Sequence, residues 1–258
     1  MRNTYLLHIV CLALFATLFS SCLKEIDNVY DPGPTAAVLR LHGDSAKMMA
    51  NTRFGWLYDE KFSSFSDGKC LLIQFEYDPH ADGNKDAEDR GYYSIHMVGN
   101  HPVPQKLAEA EETEVQVLLP HEQPIPYAIN PNDKEYYCFM ENYLFLPSVC
   151  LTTRSQSVDW QLTYDPNQQP IVENRKSVYA LYLHAVATTE PLEGAEVEEP
   201  IAVINAFDLS SFLRDVRSQS GRDADISIQI HYVDRINPQD SSQFTRSVTE
   251  PLSLKTTK

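Results

Sequence analysis

The sequence predicts an all-β protein in two halves, and three observations carry that reading. Several segments alternate apolar and polar residues with a period of two, two runs are apolar on both faces, and only two short stretches show a helical pattern. Leu71, Ile73, Phe75 and Tyr77 alternate with Leu72, Gln74 and Glu76, and Tyr93, Ile95 and Met97 with Ser94, His96 and Val98. Further along, Val158, Trp160, Leu162 and Tyr164 alternate with Asp159, Gln161 and Thr163. Ile226, Ile228, Ile230 and Tyr232 alternate in the same way with Ser227, Gln229, His231 and Val233. Each is a strand with one face on a core and one on water. Residues 178–186 and 201–207 are apolar on both faces, as strands covered by two layers are. One helix is expected after Asp208 or Ser210 as cap, with Leu209, Phe212, Leu213 and Val216 on its apolar side and Gly221 as its stop. A second short helix is expected over 104–112, where Leu107 and alanines sit among charges.

The N-terminus carries targeting information. Arg2 is the only charge before an apolar run, residues 5–19, that only His8 and Thr17 interrupt and that ends in Ser20 and Ser21. The run is shorter than the roughly 20 residues of a spanning helix, and small residues at its end suit a peptidase, so residues 1–21 read as a signal peptide in preference to an uncleaved anchor. Phe19-Ser20-Ser21-Cys22 resembles the lipobox of bacterial lipoproteins, with Phe19 where an aliphatic residue is usual. The resemblance implies lipidation of Cys22, each buried methylene of the acyl chains contributing about 0.8 kcal/mol to membrane anchoring. Residues 22–35, with Pro32-Gly33-Pro34, are then a lipidated tether. Lys24, Glu25 and Asp27 are similar to a surface-export signal of Gram-negative anaerobes, although Ile26 splits the acids; a merely solvated linker reads equally well. The implied address is the outer membrane, at the cell surface or on the periplasmic face.

The remaining chain divides into residues 36–120, a connector over 121–133 and residues 134–258. The connector lies in "PHEQPIPYAINPND", whose four prolines remove backbone donors and disfavour helix before them. Residues 190–200 form an acidic loop. The formal charge is -15, and -16 once residues 1–21, whose only charge is Arg2, are removed. Residues 36–120 hold 8 Lys or Arg against 14 Asp or Glu, which argues against nucleic acid as a partner. With Cys11 in the signal and Cys22 lipidated, Cys70, Cys138 and Cys150 allow one disulfide. If a bridge forms, Cys138 with Cys150 is the favoured pair because they flank a turn region; three buried thiols, each a small apolar group, read at least as well.

No segment carries a recognisable catalytic, cofactor or metal motif. Asp82, Asn84, Asp86, Glu88 and Asp89 have the alternate spacing of a calcium loop, but Ala87 and Tyr93 stand where an EF-hand needs glycine and glutamate, so a loop of turn formers is the better reading. His80, His96, His101 and His121 lack the spacing of a helical metal pair. Ser20, Ser210 and Ser211 lack a Gly-x-Ser-x-Gly elbow. Trp56, Tyr92, Tyr93 and Trp160 could form a sugar platform, although strand aromatics more often serve a core.

The stretches "FSDGKCLLIQFEYD" and "YYSIHMV" in the first half, with "YALYLHAV", "INAFDLSSF" and "DISIQIHYVD" in the second, together with the lipobox start, resemble NigD-like lipoproteins. The resemblance implies an N-terminal OB-like β-barrel, a C-terminal β-sandwich with one short helix, an association with bacteriocin production, and no catalytic residues to carry over. The expected role is a non-enzymatic binding or accessory component of the envelope, whose partner is an envelope protein, a peptide or a glycan. A fimbria-like structural subunit and a cell-envelope hydrolase are the alternatives.

Overall fold

The computed structural model describes residues 29–43, 46–111, 118–126, 138–153, 156–173, 176–189, 198–220, 226–237 and 239–254. The signal, Cys22, Lys24 to Asp27, residues 190–197 of the acidic loop and Gly221 lie outside them. The first sheet contains β1 (Thr35–His42), β2 (Lys47–Thr52), β3 (Gly55–Tyr58), β4 (Cys70–Glu76), β5 (Tyr93–Ser94) and β6 (His96–Pro102), in the order β5-β3-β2-β1-β4-β6. Its two ends are consecutive in the chain. β5 runs parallel to β3 through Leu57 and Tyr58, and β6 runs antiparallel to β4 from Glu76 back to Leu71, so one stretch of chain joins both edges and curls the sheet into a barrel. Val98 is left over where Gln74 pairs with Gly99 and Phe75 with Met97, a bulge that sharpens the bend closure needs.

Ala37, Leu39, Ala50 and Leu57 fill the barrel with Leu71, Ile73, Phe75 and Met97, the last four as the alternation predicts. Between β3 and β4 the turn Glu60–Ser64 drops Phe62, fully buried, into this core. The turn is fastened by Asp59, whose carboxylate accepts from the amide of Lys61 at 2.9 Å and from that of Met97 at 2.7 Å.

The second sheet contains β7 (Gln105–Ala110), β8 (Cys138–Met140), β9 (Tyr143–Thr153), β10 (Val158–Tyr164), β11 (Ile171–Glu173), β12 (Lys176–Ala187), β13 (Glu198–Asp208), β14 (Ile226–Ile236), β15 (Phe244–Val248) and β16 (Leu252–Ser253). Its main path is β15-β14-β12-β10-β7-β13-β9-β8. Gln105 to Leu107 pair with β13 and Ala108 to Ala110 with β10, both in parallel, so β7 is the corner at which the sheet folds over. Leu144, Leu146 and Phe207 on one side then meet Trp160, Leu162, Leu181, Leu183 and Ile228 on the other. The helix Ser210–Ser220 adds Phe212, Leu213 and Val216 to the same core.

The expected helix over 104–112 is therefore a strand. Ala, Leu, Lys and Glu favour a helix locally, but the open edges of β10 and β13 offer the backbone partners on both sides, and pairing overrides propensity. Leu107 points to solvent at 69% exposure while Ala108 is buried. The favoured Cys138–Cys150 disulfide is absent, and Cys70, Cys138 and Cys150 are free thiols. Cys138 sits opposite Phe145 in the β8–β9 ladder, which puts Cys150 five residues, about 16 Å, along the neighbouring strand. Burial pushes the Cys70 and Cys138 thiols up to about 12 and Cys150 to about 11, so all three act as small apolar groups.

Barrel and sandwich meet over a third cluster. Ala36, Val38 and Cys70 turn outward from the barrel against Met140, Phe145 and Ala206, with Val103 between them. At its margin the Arg40 guanidinium donates through Nε and Nη2 to Glu141 at 2.9 and 2.7 Å, and Asn51 donates to the other Glu141 oxygen at 3.2 Å. These bonds to carboxylate hold the Arg40 guanidinium above its ordinary value. Arg40→Ala is expected to lower stability by about 1.5–3 kcal/mol, the scale of hydrogen bonds to a charged group. Lys85→Ala, which removes an exposed partner of Asp82, should cost less than about 0.5 kcal/mol. Urea denaturation of the two variants side by side reads the difference.

Candidate functional site

Closure of the barrel leaves an aromatic cleft at the end where the β2–β3 turn, the end of β4 and β5 come together. Tyr30, ahead of β1, exchanges two backbone hydrogen bonds with Tyr77, just past β4, at 2.8 and 3.0 Å. Phe54 occupies the two-residue turn after Thr52, held by its amide donating to the Thr52 hydroxyl at 3.1 Å. Tyr93 stands beside Leu57 on the parallel pair. Tyr30, Phe54, Leu57, Phe75, Tyr77 and Tyr93 enclose about 210 Å³. The rings meet edge to face: Tyr30 with Phe54 at 6.5 Å, Phe54 with Phe75 at 6.2 Å and Tyr77 with Tyr93 at 5.3 Å. Leu57 and Phe75 form a buried floor, whereas Tyr30 and Phe54 are 54% and 37% exposed and form the lip.

Tyr77 and Tyr93 are also the wall of a second, polar cleft of about 450 Å³, lined by His80, Asn84, Lys85, Asp86, Glu88 and Asp89 among others. Burial pushes the Tyr77 hydroxyl up, and Tyr93, Asp78 and Glu88 push it the same way. The loop between β4 and β5 that supplies the acids is pinned by the buried Asn84. Its amide donates to the carbonyls of Asp78 and Ser94, each at 2.9 Å, and its carbonyl accepts from Ser94 N–H at 2.7 Å.

The residues singled out in the sequence are mostly dispersed. Within the calcium-like string, Asp82 forms an ion pair with Lys85 at 2.7 Å and Asp86 with Arg90 at 3.1 Å, and no group of three metal-binding side chains forms among the described residues. His96 and His101 lie exposed on β6, His80 borders the polar cleft and His121 belongs to the other half, so they do not converge. Of the four aromatics considered for a sugar platform, Tyr93 alone lines the cleft. Trp56 packs on His42 at 4.5 Å, Tyr92 on Tyr58 at 5.9 Å, and Trp160 is buried in the sandwich. Tyr30 and Phe54 went unnoticed, although an aromatic in a two-residue turn has little core within reach and signals an exposed contact.

A second constellation was also missed. His184 donates from Nδ1 to the Glu122 carboxylate at 2.8 Å, and its Nε2 lies 3.3 Å from the Thr163 hydroxyl. Hydroxyl, imidazole and carboxylate stand in the order of a hydrolytic triad. All three are sealed, with Thr163 and His184 each 1% exposed and Glu122 5%, and none lines either cleft of the barrel. A nucleophile that no substrate can touch is a structural group. The trio fastens residues 118–126, which run across the open end of the sandwich. There Gln123 N–H donates to Ala185 at 2.7 Å, Ile125 N–H to Val233 at 2.7 Å, and Leu151 N–H to Pro124 at 3.1 Å.

Comparison with known proteins places the first half. The family model of the lipoprotein OB domain matches residues 27–100. This segment is similar to the lipoprotein OB domain. Its match covers both walls of the cleft, from Tyr30 to Tyr93. The fold is similar to that in a crystal structure of an uncharacterised protein from Parabacteroides merdae, at 16% identity and a TM-score of 0.63 over 86% of this chain and 99% of that one. A protein from Bacteroides fragilis assigned as a lipoprotein matches at 13% identity and a TM-score of 0.60, over 88% and 99%. A NigD-like immunity protein from Bacteroides caccae matches at 10% identity and a TM-score of 0.47, over 83% and 89%. No curated protein matches the chain in sequence.

Glu122→Ala should lower stability by about 1–3 kcal/mol, because it leaves the buried His184 ring nitrogen and the half-buried Leu119 amide without this partner. Hydrogen exchange at the Gln123 and Ile125 amides should accelerate while the barrel amides stay protected. Unchanged exchange would show that the trio does not hold the strap.

Proposed function

We propose that this chain is a lipid-anchored envelope protein that binds a ligand in the aromatic cleft of its OB domain and performs no chemistry. Acyl chains on Cys22 hold it to the outer membrane, and the folded halves stand off on the tether. The observation that carries the reading is the contrast between the two constellations. The side chains arranged like a catalytic group are sealed from solvent, whereas the aromatic cleft is open to it and is lined by three tyrosines and three apolar side chains. A solvent-open apolar concavity with convergent polar groups at its edge is the usual form of a binding site. The anchor fits the site's position. Tyr30, on the lip, follows Cys22 by eight residues, which span at most about 29 Å fully extended, so the cleft opens close to the lipid surface.

Two experiments test this. Cys22→Ala should abolish incorporation of radiolabelled palmitate and shift the protein out of the membrane fraction; equal labelling of the variant overturns the anchor. Envelope extract passed over the immobilised chain should leave material whose retention drops about tenfold with Phe54→Ala, at an unchanged melting temperature. Equal retention by both proteins overturns the cleft as the binding site.

A further inference from the structure

The geometry points to a cationic amphipathic peptide as the ligand of this cleft, with one bulky apolar side chain between the tyrosines and its Lys or Arg neighbours over Glu88 and Asp89. The inference rests on the binding reading above and goes further in naming the chemistry. At about 210 Å³ the apolar cleft is smaller than the roughly 300–1,000 Å³ of a drug-sized site, so it accepts a single side chain in place of a whole small molecule. The polar cleft continues it across the shared Tyr77–Tyr93 wall, which makes the composite site apolar at one end and charged at the other.

The sign of that charge comes from which groups are already paired. Lys85 is taken up by Asp82 and Arg90 by Asp86, leaving Glu88 and Asp89 with no ion pair among the described residues. Both are exposed at the rim, and Glu88 lies near enough to the Tyr77 hydroxyl to act on it. A fatty acid or a phosphate would meet these carboxylates at the cleft mouth and be repelled. A cation gains from them, from the tyrosine faces and from the long-range field of a chain of net charge -15. Elsewhere in the same barrel cations already sit over tyrosines, Arg90 at 4.5 Å over Tyr92 and Lys47 at 5.1 Å over Tyr58.

The ring geometry argues against flat ligands. Neighbouring rings stand at 80°, 75° and 75° to one another, so there is no continuous platform on which a sugar ring or a base could stack, while a slot between ring edges and faces suits an inserted side chain.

The test uses the full chain in phosphatidylcholine vesicles and fluorescein-Lys-Arg-Trp-Lys-Arg-amide, with anisotropy as the readout and empty vesicles as blank. Saturable binding is expected, weakened about tenfold at low ionic strength by the exposed double substitution Glu88→Gln with Asp89→Asn, and comparably by Phe54→Ala. The counterparts with Ala in place of Trp, and with Glu in place of every Lys and Arg, should bind at least about tenfold more weakly. If the acidic peptide binds as well, or the double substitution changes nothing while Phe54→Ala abolishes binding, the cleft stands and the cationic assignment falls. Direct binding of maltohexaose that Phe54→Ala removes and the double substitution leaves intact also overturns it, in favour of a glycan. If no Trp peptide of any charge binds and neither does the oligosaccharide, the binding reading itself fails and takes this inference with it.

Discussion

One extended run of chain, residues 93–110, holds the whole architecture. Its backbone groups are shared in turn by β3, β4, β13 and β10. An extended chain carries a donor and an acceptor at nearly every residue, and burying them unpaired is costly, so each change of partner must be immediate. The changes fall after Ile95, from β3 to β4, at Val103 and Pro104, from β4 to β13, and between Leu107 and Ala108, from β13 to β10. Val103 donates its amide to Cys70 at 3.0 Å, still within the barrel, and the Pro104 carbonyl accepts from Ala206 at 2.9 Å, already in the sandwich. A single residue step therefore fixes how the two cores sit against each other. Ala36 and Val38 on the outside of β1 are buried because that step brings Phe145 and Ala206 onto them.

The sandwich has a complementary problem at its far end. β12 pairs with β14 only as far as Leu183, and beyond it the backbone of β12 on that side would face nothing. Residues 121–125 take over, with Ala187 donating to His121 at 3.0 Å and Gln123 donating to Ala185. Pro120, Pro124 and Pro126 stand in or beside this stretch, so it cannot form a regular strand, and side chains must fix what the ladder does not. Glu122, His184 and Thr163 do this. Resemblance to a hydrolytic triad follows from the same requirement in both settings, since an imidazole is oriented best by an acceptor on one nitrogen and a hydroxyl on the other. What separates the two uses is access to solvent.

Much of this was legible in the residue pattern. The alternating segments became β4, β6, β10 and β14, the doubly apolar runs became β12 and β13, and the helix began near its proposed cap. What was not legible arose from long-range pairing. Gln105–Ala110 carries helix-forming residues and becomes a strand only because two open edges meet it. Cys138 and Cys150 look near in sequence but are held apart by the ladder they occupy. His184 sits inside an apolar run, where a lone polar residue has no visible partner until a segment some sixty positions away, Glu122, is folded across it. The cleft was hidden for the opposite reason. Phe75 and Tyr77 continue an alternation that reads as core, and they are core on one side; only closure of the barrel around Tyr93 leaves their other side open.

That double role constrains what binding can do. Leu57 and Phe75 belong at once to the barrel core and to the floor of the cleft, so an apolar group entering there extends an existing core instead of covering a surface. Removing area from water at that point contributes on the order of 25 cal/mol per Å², the same coefficient that stabilises the barrel itself. The floor cannot then be altered for a new ligand without loosening the fold. Variation in what is bound is left to the lip, to Tyr30, Phe54 and the loop that Asn84 pins, whose exposed side chains support little else. The acids of that loop stand where they can change with the least cost to the barrel, so under the proposed binding role selectivity and stability would fall to different residues within one site.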